Sequence, residues 1–268
     1  MFPGAAAARS DADYALVGAP LDASTSFEPG ARFGPRRVRH YAEAFDDYDH
    51  HTDQRFSSLA VYDHGDVGPT ADTAEYLTFL RGALSDFRQE GALPMLVGGE
   101  HTVTVAGVRA VDPDVFVCLD AHLDLRESYA GDPLSHATVT RHALDAADRA
   151  VVLGARTGSE AEWDRASESD VTVVDPADVS DWEPSFDADD SVYLSVDIDA
   201  FDPGYAPGTG TMEPFGLAPR EGRRVVREVA PATDGFDVVE VNDGDDGQSA
   251  VLAAKLLRAF VYEHAASR

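Results

Sequence analysis

A single cysteine, Cys118, occurs in 268 residues, so no internal disulfide can staple the chain. Its place in the run VFVCLD marks it as a small buried side chain rather than a reactive thiol. Basic side chains are scarce as well. Lys and Arg number 21 against 49 Asp and Glu, and the formal charge of −28 disfavours nucleic acid and anionic membranes, both of which repel such a surface. Low Lys usage with abundant Asp fits a halophilic cytosol, where hydrated carboxylates keep a protein soluble and high salt screens their repulsion. No apolar stretch approaches the roughly 20 residues that span a bilayer. The opening MFPGAAAARSDADY lacks a basic segment followed by an apolar core, so a soluble, cytoplasmic protein is expected. No linker, internal repeat or low-complexity segment divides the chain, and the length suits one large α/β domain over residues 1–268.

Short apolar runs are abundant. YALVGA, SLAVYDHG, LPMLVGG, VFVCLD, AVVLGA, VTVVD, VYLSVD and FDVVEV have strand length, and helical patterns over 73–90, 102–111, 135–147 and 249–265 fall between or after them. This alternation predicts a mainly parallel eight-stranded sheet covered by helices on both faces. In such sheets ligands bind beyond the carboxyl ends of the strands. LVGG is followed there by Glu100-His101, VFVCL by Asp120-Ala121-His122-Leu123-Asp124, VYLSV by Asp197-Ile198-Asp199 and FDVV by Glu240.

A lone Asp-x-Asp means little in so acidic a chain, where a solvated loop is the ordinary explanation. DAHLD is more specific, because residues at i, i+2 and i+4 of an extended chain point the same way and offer oxygen, nitrogen and oxygen to one point. His101, Asp120, His122, Asp124, Asp197 and Asp199 together supply two imidazoles and four carboxylates, enough to bridge two cations. Oxygen-rich coordination with a minority of imidazole favours a hard or borderline ion such as Mn²⁺. Two such ions about 3.5 to 4 Å apart can share a water and lower its pKa, which makes metal-assisted hydrolysis the expected chemistry. Asp202, before Pro203, reads as a turn former. Arg32, Arg36, Arg37 and Arg39 read as a solvated helix face with its adjacent turn, and the remaining histidines match no ligand pattern.

GGEHT, DAHLD and SVDIDAFDP, in this order and at these strand ends, resemble the signature segments of the ureohydrolase family of arginases, agmatinases and relatives. The resemblance runs from GAPLDASTSFEPGARFGPRRVR through DHGDVGP to EVND and LAAKLL. It implies a three-layer α/β/α arginase-like fold and two Mn²⁺ per chain hydrolysing a guanidinium group. Carried over by motif, His101, Asp120, Asp124 and Asp197 hold one ion, and Asp120, His122, Asp197 and Asp199 the other, with Asp120 and Asp197 as bridges. Asp124 also orients the attacking water, His136 in LSHAT shuttles the proton to the leaving amine, and Glu240 pairs with the guanidinium. The resemblance also implies a homo-oligomer, a trimer or hexamer, and the composition points to a halophilic archaeon as the source.

Within the family, DLRESYAGDPLSHATVTRHAL is most similar to agmatinases, and the Asn- and Ser/Thr-bearing loop with which arginases grip the α-amino and α-carboxylate groups is missing. Agmatine is therefore the expected small-molecule substrate, with arginine, 4-guanidinobutyrate and aminopropylagmatine as the alternatives. A one-zinc deacetylase of the same fold would use fewer acidic ligands, and a silent relative would have lost ligands or His136. In GTGTMEPFGL, Met212 and Phe215 stand where relatives commonly carry Pro and Gly, which predicts an altered pocket border.

Overall fold

Runs that are apolar at every position form strands that are covered on both faces. In the computed structural model, which describes residues 1–268, β1 (Tyr14–Ala19) is buried at all six positions. It is followed by α1 (Gly34–Ala42), the short hairpin β2 (Tyr48–Asp49) and β3 (Gln54–Arg55), β4 (Val61–Asp66), α2 (Thr73–Gln89), β5 (Leu93–Gly98) and α3 (Thr104–Val111). The second half holds β6 (Val115–Leu119), α4 (Val139–Ala143), β7 (Arg149–Leu153), α5 (Glu160–Ala166), β8 (Val171–Val174), β9 (Val192–Asp197), α6 (Pro219–Val229), β10 (Thr233–Val239) and α7 (Gln248–Ala266).

The eight predicted strands form one sheet in the order β4-β1-β5-β10-β9-β6-β7-β8, every pairing parallel. Side chains alternate across it. Val192, Leu194 and Val196 of β9 join a core with α1, α6 and α7, while Tyr193 joins the opposite core with α2, α3 and α4. These two cores make the three-layer α/β/α arrangement.

Three features differ from the sequence reading. The helix expected over 135–147 is a single 3-10 turn, His136–Thr138, capped by Ser135 and followed by the five residues of α4, because Thr138, at φ −127° and ψ 10°, leaves helical geometry and the chain after Ala143 closes in i to i+3 turns. Helices α5 and α6 were not anticipated; α6 buries only the narrow stripe of Gly222, Val225, Val226 and Val229 between arginines, too few apolar positions to stand out. Arg39 is not solvated. It lies 8% exposed, with Nε and Nη2 each 2.8 Å from a different oxygen of Asp63 and Nη1 on Asp66. A buried guanidinium of this kind persists because the carboxylates offset its desolvation.

His264 of α7 is buried against Phe260 and bonds Tyr14 Oη through Nδ1 at 2.8 Å. Burial, helped by the charge of Arg268, pulls its pKa down to about 4. Between pH 6.5 and about 4 the unfolded chain therefore binds a proton that the folded chain refuses. This site's contribution is present above pH 6.5 and is lost as pH falls through that window, by about 3 kcal/mol in all. Urea unfolding of wild type and His264→Gln across pH 4 to 7 should show the variant with the shallower dependence.

Candidate metal centre

β5, β10, β9 and β6 are consecutive neighbours, so the four strand ends that carry acidic and imidazole groups open onto one place. The chain leaves β5 through Gly98-Gly99, and a Cβ on Gly99 would stand 1.9 Å from the Leu21 carbonyl oxygen. Only glycine permits that approach, which sets His101 at the start of the following turn. Asp124 and Glu240 both adopt left-handed backbone, at φ 51° and 61°. Such conformations cost of order 1 kcal/mol or more in a non-glycine residue and persist where the surroundings enforce them, commonly at functional sites.

Two groups of donors result. Around the first, His101 Nδ1 has Asp124 Oδ2 at 3.0 Å, Asp120 Oδ2 at 3.1 Å and Asp197 Oδ2 at 3.4 Å. His101 Nδ1 is fully buried, yet none of these contacts has hydrogen-bond geometry, and the atom is left without a partner. A buried nitrogen ringed by oxygens that do not bond it is what a cation at the centre requires. Around the second, His122 Nδ1 lies 3.0 Å from Asp199 Oδ2 and 3.5 Å from Asp120 Oδ1. Asp120 thus turns one oxygen to each imidazole. Asp197 reaches the first group through Oδ2, while its Oδ1 accepts the Asp199 N–H.

The electrostatics fit the same reading. Burial, and then the charge of Asp120, push the Asp124 carboxyl up to about 7. Burial raises Asp197 well above the carboxylate range, with Asp199 and Asp120 adding to it. Glu240 is raised to about 8, chiefly by burial and against a 2.7 Å hydrogen bond that it accepts from the His101 N–H. So many carboxylates cannot all be charged in a buried site unless cations neutralise them. The donor set therefore suits two divalent ions.

Hydrogen bonds behind these donors fix them. His101 Nε2 meets Ser195 Oγ at 3.2 Å, and Ser195 Oγ and Tyr193 Oη donate to the two oxygens of buried Asp237 at 2.6 and 2.8 Å. Such outer partners hold a ligating ring in one orientation and tautomer. The sequence reading missed Ser195 and Asp237. Their signal was present, since a carboxylate inside the apolar run FDVV must find buried partners and Ser195 shares a strand face with Asp197. Cys118 is fully buried as expected, its Sγ 3.8 Å from both His101 Nε2 and Asp120 Oδ2, and burial raises the thiol so that it stays protonated.

The cavity over these groups has a volume of about 300 Å³ and is lined by His101, His122, Asp124, His136, Asp197, Asp199 and Glu240. All of the expected site residues except Asp120 line it; Asp120 lies beneath, 1% exposed. Tyr129 and Arg126 stand at its side, with the Tyr129 ring edge-on to His136 and Arg126 Nε 3.2 Å from Glu162. A larger groove of about 630 Å³ along α6 and α7 has no comparable imidazole and carboxylate cluster. Met212 and Phe215, expected to reshape the pocket border, are 50% and 85% exposed, and it is Thr211 of that loop that lines the cavity. Asp202 is outside the site and shapes the turn, accepting the Gly204 and Phe215 N–H groups.

Known proteins share this architecture. Residues 12–262 match the arginase family model. An agmatinase from Pyrococcus horikoshii is 35% identical over 260 residues, covering 92% of this chain and 90% of that protein. An N(1)-aminopropylagmatine ureohydrolase from Thermococcus kodakarensis is 36% identical over 260 residues, covering 92% and 88%. The crystal structure of an agmatine ureohydrolase from Thermoplasma volcanium superposes with a TM-score of 0.92 at 32% identity, covering 98% of this chain and 93% of that one. No helix of this chain is long and apolar enough to cross a membrane. With the family's match spanning nearly the whole sequence and the sheet order and donor clusters in place, the chain belongs to the arginase family and is a hydrolase of that family.

Proposed function

We propose that this hydrolase cleaves agmatine to putrescine and urea at a centre of two Mn²⁺ ions. The observation that carries the reading is the placement of Asp120 between two imidazole–carboxylate groups, with Glu240 in the same cavity. His101, Asp120, Asp124 and Asp197 would hold one ion, and His122, Asp120, Asp199 and Asp197 the other. Bound there, the ions supply Lewis acidity and lower the pKa of water. The chain's own groups supply the rest. Glu240, raised to about 8 with no cation beside it, becomes a carboxylate when a guanidinium pairs with it. Asp124, raised to about 7, is placed to accept a hydrogen bond from the attacking water. Water adds to the guanidinium carbon and gives up a proton to His136, the bond to the chain nitrogen breaks, and His136 passes that proton to this nitrogen as it leaves as an amine. Burial holds the pKa of His136 below the usual imidazole value, which keeps the ring neutral and able to carry a proton near pH 7.

Agmatine is favoured over arginine because a buried α-carboxylate without matching donors would stay unpaired, a cost that agmatine avoids. The names of the two relatives point the same way, both being agmatine-type amines. Arg126 supports a second reading, a guanidino acid such as 4-guanidinobutyrate, since it lines the cavity; its pairing with Glu162 already neutralises that charge. The assay is urea release from agmatine, arginine, 4-guanidinobutyrate and aminopropylagmatine with Mn²⁺ in several molar KCl, a medium suited to a chain of charge −28. Agmatine should exceed arginine in kcat/KM by about 10²-fold or more. Glu240→Gln should lower kcat/KM for both by about 10- to 100-fold, the worth of a charged hydrogen bond, and leave the preference unchanged. A preference for the guanidino acid would move the assignment to the second reading.

A further inference from the structure

Behind His136 lies a set of hydrogen bonds whose protons can be counted. Ser24 Oγ stands 3.1 Å from His136 Nδ1, 3.0 Å from the His136 backbone N and 2.8 Å from Glu100 Oε1. Glu100, 0% exposed, also receives the Thr102 hydroxyl on Oε1 at 2.6 Å and the Ala23 and Ser24 N–H groups on Oε2 at 2.5 and 2.7 Å. Every partner of this carboxylate is a donor, so Glu100 acts only as acceptor and the one Ser24 hydroxyl proton is committed to it. Ser24 Oγ can then only accept from His136, both from the backbone N–H and from the ring, its other neighbour, Thr102 Oγ1 at 3.5 Å, having given its own proton to Glu100 at 2.6 Å. The ring nitrogen facing Ser24 must carry the hydrogen.

We propose that Glu100, acting through Ser24, fixes His136 as the Nδ1–H tautomer and so leaves Nε2 as the nitrogen that transfers the proton; this rests on the shuttle role assigned to His136 above. Ser24 and Glu100 are positioning residues. In the other tautomer Nε2 would carry a hydrogen and could not take one up, and Nδ1 would face a hydroxyl with no proton to offer. A neutral histidine divides between tautomers unless a neighbour selects one. Here Glu100 is buried and Ser24 half-buried, while the ring lines the cavity.

The test is a double-mutant cycle on the Mn²⁺-loaded enzyme, with kcat, KM and metal content measured for each variant. Ser24→Ala should lower kcat by about 10- to 100-fold, the usual cost of losing such an outer partner, with KM and metal content little changed. Ser24→Thr keeps the hydroxyl and should restore kcat. Glu100→Gln should also lower kcat, because an amide N–H donated to Ser24 Oγ turns the hydroxyl proton towards Nδ1 and selects the opposite tautomer. In the His136→Ala background neither Ser24→Ala nor Glu100→Gln should cause a further loss. Equal losses in both backgrounds, or wild-type kcat in Ser24→Ala, would overturn the inference. If Ser24→Ala does not fold, Glu100→Gln in the two backgrounds decides the matter by the same criterion. Wild-type kcat in His136→Ala would instead remove the shuttle reading and this inference with it.

Discussion

Asp120→Ala should abolish turnover while the protein stays folded. Asp120 is the carboxylate whose two oxygens face different imidazoles, Oδ2 towards His101 and Oδ1 towards His122, so its loss removes a donor from both groups. Metal ions supply several kcal/mol of charge stabilisation in hydrolyses of this kind. At about 1.36 kcal/mol per decade, losing it lowers kcat by roughly 10³-fold or more. Metal analysis should show the variant depleted of Mn²⁺, and chelation of the wild type should reproduce its inactivity until Mn²⁺ is returned. A folded Asp120→Ala protein with near-native kcat would show that the carboxylate is not shared between ions.

The second large effect belongs to His136. Replacing it with alanine should lower kcat by about 10²- to 10⁴-fold, the range for a general acid–base group, with metal content intact. The two variants separate chemistry from binding, because His136 makes its hydrogen bonds to Ser24 and none to the donors around His101. Added imidazole should recover part of the His136→Ala activity and none of the Asp120→Ala activity. Depletion of metal in His136→Ala would mean that the histidine holds the site together instead of moving a proton.

Much of this was legible in the sequence because the relevant patterns are local. The central strands β1, β5, β6 and β9 show as runs buried on both faces, and DAHLD signals its donors by their i, i+2, i+4 spacing, although the left-handed turn at Asp124 ends the extended chain there. What stayed hidden depends on which strands become neighbours. That β10 lies between β5 and β9, bringing Glu240 against the His101 N–H, follows from the packing of distant segments. The burial of Arg39 against Asp63 and Asp66, 24 and 27 residues away, is of the same kind. So are Ser24 and Glu100, 76 residues apart, which meet only because the turn after β1 closes over the turn after β5. Helix α6, with its narrow apolar stripe, is stabilised by the sheet it covers more than by its own pattern.

Asp120 serves two ions at once in the proposed centre, and Mn²⁺ stoichiometry against activity addresses that most directly. Metal-free protein would be titrated with Mn²⁺ in molar KCl, with urea release from agmatine and bound metal per chain followed together. Activity should reach its plateau at two ions per chain, and Asp120→Ala should show neither the binding nor the activity. Full activity with a single tightly bound ion per chain would contradict it.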